Sequence, residues 1–167
     1  MDIVVSDTNI FIDLYLIGLL NEFFALPFHI HTVDFVINEI TEEKQKRTIT
    51  KFLTANRLFV KKYSIIELQE LVKLNVSCKG NVSITDCAVW KYARTNNYTL
   101  LTGDKQLRNQ AIMDGVTVAG LIFIFDQLVK CNIITPLIAA EKLEKLLQNN
   151  KRLPKREIEE RLLKWKK

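Results

Sequence analysis

The chain has 167 residues, 48% apolar and 26% charged, enough for one domain with a sizeable core and too apolar for a disordered segment. No stretch approaches the roughly 18 continuous apolar residues of a membrane helix, and Met1-Asp2 lacks the basic region of a secretory signal, so a cytoplasmic protein is expected. The net charge of +5 gathers at the end: residues 151–167 hold eight Lys/Arg and three Asp/Glu, whereas residues 1–150 hold sixteen of each. Such an asymmetry suits an acidic partner, and it equally suits an ordinary solvated helix.

In chain order, Ile3 to Ser6 is a short apolar run of the kind found in parallel strands covered on both faces. A helix is predicted from about Ile10 to Ala25, ended by Pro27. Phe28 to Thr32 reads as a second strand, and Val33 to Lys46 as a helix with Val33, Val36, Ile37 and Ile40 on one face. A shorter helix, Thr48 to Ala55, leads to a third strand, Leu58 to Lys61. Ser64 caps a helix from Ile65 to Leu74, and Ser83 another running to about Arg94. Thr99 to Thr102 is the fourth strand, Lys105 to Asp114 a helix stopped by Gly115, and Val116 to Val118 the fifth strand. Leu121 to Cys131 is a nearly all-apolar helix. Two more helices follow Thr135-Pro136, the second restarting at Pro154.

Strands alternating with helices at this spacing predict an α/β fold with a doubly wound parallel sheet of five strands. The one candidate boundary lies near Thr135, which divides the chain into a domain of residues 1–135 and a basic, helical extension of residues 136–167. Cys78, Cys87 and Cys131 lack metal-site spacing and read as reduced thiols. His29 and His31 alternate within a strand, with no third His or Cys near, so zinc chemistry is not expected.

Three acids, Asp7, Asp86 and Asp104, fall at strand–helix junctions. In an open α/β sheet these junctions meet at the carboxyl edge of the strands, where ligands bind. Carboxylates brought together there raise one another's pKa, and a divalent cation relieves them. Each also fits a plain cap: Asp7 and Asp104 as N-caps, Asp86 as the third residue of a capping box opened by Ser83. Two features go beyond capping. Asp86 shares a helical stripe with Val89, Trp90 and Ala93, so it faces inward, where an unpaired carboxylate is costly. A strand order that reverses between the first and fourth strands would also set Asp104 beside Asp7. A fourth acid would come from the helix after strand two, where Glu39 lies roughly 110° from the centre of the apolar face; Glu42 and Glu43 are alternatives that periodicity does not separate.

The segments VVSDTNIFIDL, VDFVINEI, SITDCAVWKYA and LLTGDKQLRNQA, in this order and spacing over about residues 1–125, resemble a PIN-domain nuclease. The resemblance implies the sheet order 3-2-1-4-5 and a metal-dependent endoribonuclease. Its acidic site would be Asp7, Glu39, Asp86 and Asp104, holding Mg²⁺ or Mn²⁺ through Asp7, Asp104 and Asp86. Hydrolysis of an RNA phosphodiester there would leave a 5′-phosphate and a 3′-hydroxyl. Thr8, Asn9, Thr85 and Thr102 flank the acids and could bond to them or to substrate phosphate, while Lys79, Lys105 and Arg108 could guide the RNA backbone. Such proteins include toxin ribonucleases of prokaryotic toxin–antitoxin pairs, so RNA, an antitoxin and a second copy of the chain are the implied partners.

Alternatives are an RNA-processing nuclease outside such pairs and an idle PIN fold serving as an RNA-binding or assembly module. A phosphoryl-transfer protein on a doubly wound fold is a third; against it, position 9 is Asn where aspartate-nucleophile phosphatases carry a second Asp. In the extension, Ile158, Leu162 and Trp165 form an amphipathic stripe that suits docking on the body or a second subunit, antitoxin binding, or RNA contact.

Overall fold

The computed structural model describes residues 2–78, 81–150 and 153–166. Its centre is a five-stranded, all-parallel sheet in the order β3-β2-β1-β4-β5, formed by β1 (Ile3–Ser6), β2 (His29–Val33), β3 (Leu58–Lys61), β4 (Thr99–Leu101) and β5 (Val118–Ala119). Parallel strands need helical crossovers; these are α1 (Thr8–Ile17), α2 (Leu20–Ala25), α3 (Asp34–Glu39), α4 (Glu43–Thr54), α5 (Ile65–Ser77), α6 (Ile84–Asn96) and α7 (Lys105–Met113). After the sheet come α8 (Leu121–Lys130), α9 (Pro136–Asn149) and α10 (Lys155–Trp165). No helix among the described residues is long and apolar enough to cross a membrane.

The expected elements are present, with two breaks where one helix was expected. Gly18 takes the left-handed conformation (φ 72°) that glycine adopts without strain, and Leu19 N–H bonds back to Leu14 O at 2.9 Å, so α1 stops and α2 starts afresh. The helix predicted over Val33 to Lys46 ends at Glu39 instead. Ile40 is extended and buried, and Glu42 caps a new helix by accepting from Lys44 N and Gln45 N. Local periodicity missed this restart because α3 is only six residues long and Ile40 fits either phase. The fifth strand lies at Val118–Ala119 rather than beginning at Val116.

The interior is one continuous apolar cluster from Val4 to Trp165. Phe11, Phe23, Phe24 and Phe52 stack through it, with Phe24 and Phe52 ring centroids 3.8 Å apart. Helix α6 lies over β1, β2 and β4, with α5 and α7 against it, while α9 packs on α1 and α8. The last two helices bury Ala139, Ala140, Leu143, Leu146, Ile158 and Trp165 in the same cluster. The apolar stripe of α10 is therefore docked on the body, with Trp165 6.2 Å from Phe125 and Arg161 bonded to Asp126 at 3.0 Å.

Candidate functional site

Strand order reverses between β1 and β4, and their carboxyl ends deliver the first two acids side by side. Asp7 follows β1 directly, and its backbone N–H donates to Leu101 O of β4 at 3.0 Å. Asp7 is only 2% exposed. Its Oδ1 accepts from Thr8 N at 2.6 Å and its Oδ2 from Thr102 Oγ1 at 2.9 Å. The same Thr102 hydroxyl accepts from Asp104 N at 3.0 Å, so one side chain ties the acid after β1 to the acid after β4.

Each of the other three acids spends one oxygen on holding its position. Asp104 Oδ1 caps α7 by accepting from Gln106 N and Leu107 N, both at 2.8 Å. Asp86 Oδ2 accepts from Ser83 N at 2.8 Å within the capping box of α6. Glu39 Oε2 accepts from Thr8 Oγ1 at 2.6 Å. The caps anticipated from sequence are thus real, but Asp104, Asp86 and Glu39 each keep a second oxygen uncommitted among the described residues.

The structure also distinguishes the three glutamates. Glu42 uses both oxygens to cap α4, and Glu43 pairs with Arg47. Glu39 alone reaches across to Thr8 and faces the aspartates.

Burial pushes the Asp7 carboxyl up to about 7, with further upward pressure from Asp86 and Glu39 against the lowering bonds from Thr102 and Thr8. Burial likewise raises Asp86, with Asp104 and Glu39 adding to it against its Ser83 bonds. The four carboxylates therefore act on one another, with Asp86 facing the other three. Among the described residues none of the four has a Lys or Arg partner, although Glu43, Glu67, Glu70, Asp126 and Glu144 all do.

The donor set is all carboxylate oxygen, which suits a hard divalent cation and not zinc or copper. No three acids among the described residues stand close enough to form a ready-made cage. Mg²⁺ and Mn²⁺ bind through one or two carboxylates and keep several waters, and the acid set among the described residues offers no preformed cage for either. It would not suit a dehydrated ion held by protein alone.

Of the residues flagged as substrate contacts, Thr8 and Thr102 commit their hydroxyl protons to Glu39 and Asp7, so they position the acids. Thr85 is buried, and Asn9 and Lys105 are exposed. Arg108 is half-buried and donates through Nη2 to Thr102 O at 3.1 Å. Lys79 lies outside the described residues. His29 is exposed and His31 sits 2.8 Å from the Tyr92 hydroxyl, a packed pair away from the acids.

Sequence reading passed over Gly120. A Cβ there would stand 2.8 Å from Arg108 Nη2 and 3.3 Å from Thr102 O, so the guanidinium would have to move aside. The available signal was a lone glycine at the junction of the fifth strand and the next helix, where backbone and ligand approach closely.

The sequence model of a family described as PIN domain matches residues 3–167. No curated protein matches the chain. Among solved structures it is similar to a PilT N-terminus domain protein from the archaeon Sulfolobus solfataricus P2, at 17% identity over 77% of this chain and 92% of that one, TM-score 0.47. It is similar to a domain of a functionally unknown protein from Methanocaldococcus jannaschii, at 19% identity over 72% and 91%, TM-score 0.48. A third similarity is to VapBC2 from Rickettsia felis bound to a DNA fragment from their promoter, at 17% identity over 71% and 98%, TM-score 0.42.

Proposed function

Since the chain belongs to the PIN domain family, we propose that it is a metal-dependent endoribonuclease and the toxin of a toxin–antitoxin pair. The observation that carries the nuclease reading is the buried Asp7 carboxylate, set among three further acids with no basic side chain among the described residues to neutralise it. A fold held together by caps alone gains nothing from that arrangement, because burying an uncompensated charge is costly.

In this reading Asp7 and Asp104, tied together by Thr102, make the closest contacts with the cation, and Asp86 and Glu39 orient the waters that complete its shell. When bound, Mg²⁺ or Mn²⁺ supplies countercharge for the phosphodiester and lowers the pKa of water. The chain's own contribution is orientation. Thr102 locks Asp7 and the start of α7, Thr8 aims Glu39, and the Ser83 capping box sets Asp86. Residues 1–135 then carry the acidic site, and residues 136–167 brace it and serve partner or substrate. The toxin reading rests on the sequence resemblance. A small helical protein encoded immediately upstream would support it, and co-purification of the two would test it.

Two results are expected of the purified chain. Saturating Mn²⁺ or Mg²⁺, at about 100 times its Kd, should stabilise the native protein by about 2.7 kcal/mol. For a domain of this size that raises Tm by about 5–10 °C in differential scanning calorimetry; a flat Tm across a metal titration would count against the site. Glu39→Gln should lower cleavage of a single-stranded RNA by about 10²-fold. Glu42→Gln should leave turnover intact and cost only about 0.5–2 kcal/mol of cap stability. The reverse pattern would move the fourth acid to α4.

A further inference from the structure

Beside the acids a groove of about 570 Å³ opens at Thr102 and Gly103. It runs past Lys105, Arg108 and Gly120 to the foot of α10, where Leu153, Pro154, Glu157 and the Arg161–Asp126 ion pair form its far end, so among the described residues its free cations lie at the end near the acids. Its volume falls within the roughly 300–1,000 Å³ of small-ligand sites.

We propose that this groove seats one phosphodiester of a single-stranded RNA on the guanidinium of Arg108, and that Gly120 is kept free of a side chain so that the guanidinium can lie over it. The proposal deepens the ribonuclease reading and rests on it. Arg108 stands one turn beyond Asp104 on α7, half-buried, with a single hydrogen bond to a backbone carbonyl and no carboxylate partner among the described residues. Elsewhere Arg47, Arg94, Arg156 and Arg161 pair with acids, and Arg57, which like Arg108 bonds a backbone carbonyl, is exposed rather than half-buried. A half-buried cation in an open groove is best compensated by an anion that enters it, and the forked guanidinium matches phosphate oxygens.

Gly120 is extended (φ −140°), a conformation any residue adopts, so only lack of space disfavours a side chain there. It is also the N-cap of α8, which no side chain caps, so unpaired N–H groups of that helix add to the positive character of the groove. The carbonyl that Arg108 bonds belongs to Thr102, whose hydroxyl holds Asp7 and Asp104. The seat is thereby tied to the acids through Thr102.

The test measures binding and cleavage separately. Fluorescence anisotropy of a labelled single-stranded RNA on the full chain in EDTA, at several KCl concentrations, reads the seat without turnover. Arg108→Gln should weaken binding about tenfold and make the salt dependence shallower by about 0.7 in log–log slope, the loss of one phosphate contact. Gly120→Ala keeps the charge but displaces the guanidinium, and should weaken binding several-fold with Tm close to native. In Mn²⁺, both variants should raise KM more than they lower kcat.

Unchanged affinity and slope in both variants would overturn the seat. If the native chain still cut RNA in Mn²⁺, the ribonuclease reading would survive that result. A native chain that bound RNA through Arg108 yet never cut it would instead sink the ribonuclease reading. An acidic oligopeptide that displaced RNA and bound with the same Arg108 dependence would reassign the groove to a protein segment.

Discussion

Asp7→Asn should end RNA cleavage while making the metal-free protein more stable, a combination that a purely structural aspartate does not produce. Loss of a charge-placing group of this kind costs at least about 10²–10³-fold in turnover. The stability change follows from the folded-state carboxyl lying near 7, against an ordinary value of 3.8. Between those values the folded chain binds more protons than the unfolded one, so unfolding free energy falls as pH rises. The stability linked to Asp7 is fully present below about pH 3.8 and is lost as pH climbs through about 7, and the raised Asp86 acts in the same direction.

In EDTA the native chain should therefore lose stability between about pH 4 and pH 8, by on the order of a few kcal/mol. Asn caps a helix about as well as Asp, but its single oxygen cannot accept from both Thr8 N and Thr102 Oγ1 as the carboxylate does. That loses about 1 kcal/mol and leaves a net gain of about 1–3 kcal/mol at pH 8. Urea melts of both proteins across this pH range decide it. A mutant less stable than the native chain at pH 8 in EDTA would show that Asp7 is only a cap.

The second large effect is on stability and comes from the last helix. Ile158 is fully buried and Trp165 is 6% exposed, both within the main core. Ile158→Ala should cost about 2–5 kcal/mol and Trp165→Ala about 3–5 kcal/mol, lowering Tm by roughly 6–15 °C. Leu163, on the same helix but 69% exposed, should tolerate alanine with almost no change. Equal, small effects at all three positions would mean that α10 is not docked in solution. Deleting the helix outright would remove core and so cannot report on partner binding; exposed-face substitutions on α10 are the cleaner probe.

The elements of the fold and the helix-start positions of Asp7, Asp86 and Asp104 were legible because each depends on local chemistry. A buried parallel strand reads as an unbroken apolar run, as Ile3 to Ser6 does, and capping residues sit at fixed offsets from the helices they start, as Ser83 does from Asp86. Glu39 was ambiguous because a helix boundary lies just beyond it. The period of one long helix was being read across two short ones, whose junction depends on Ile40 entering the core.

By itself, then, the sequence determined the order of strands and helices along the chain and the placing of Asp7, Asp86 and Asp104 at helix starts, because periodicity and capping act within a few residues; the reversal between β1 and β4 came only with the family resemblance. Tertiary structure decided what periodicity left open between Glu39, Glu42 and Glu43, where the resemblance had pointed to Glu39, and it alone decided that Thr102 bridges Asp7 to Asp104, that Gly120 leaves space for Arg108, and that α10 is core. Each of those joins residues far apart along the chain, and their meeting is set by packing rather than by any local pattern.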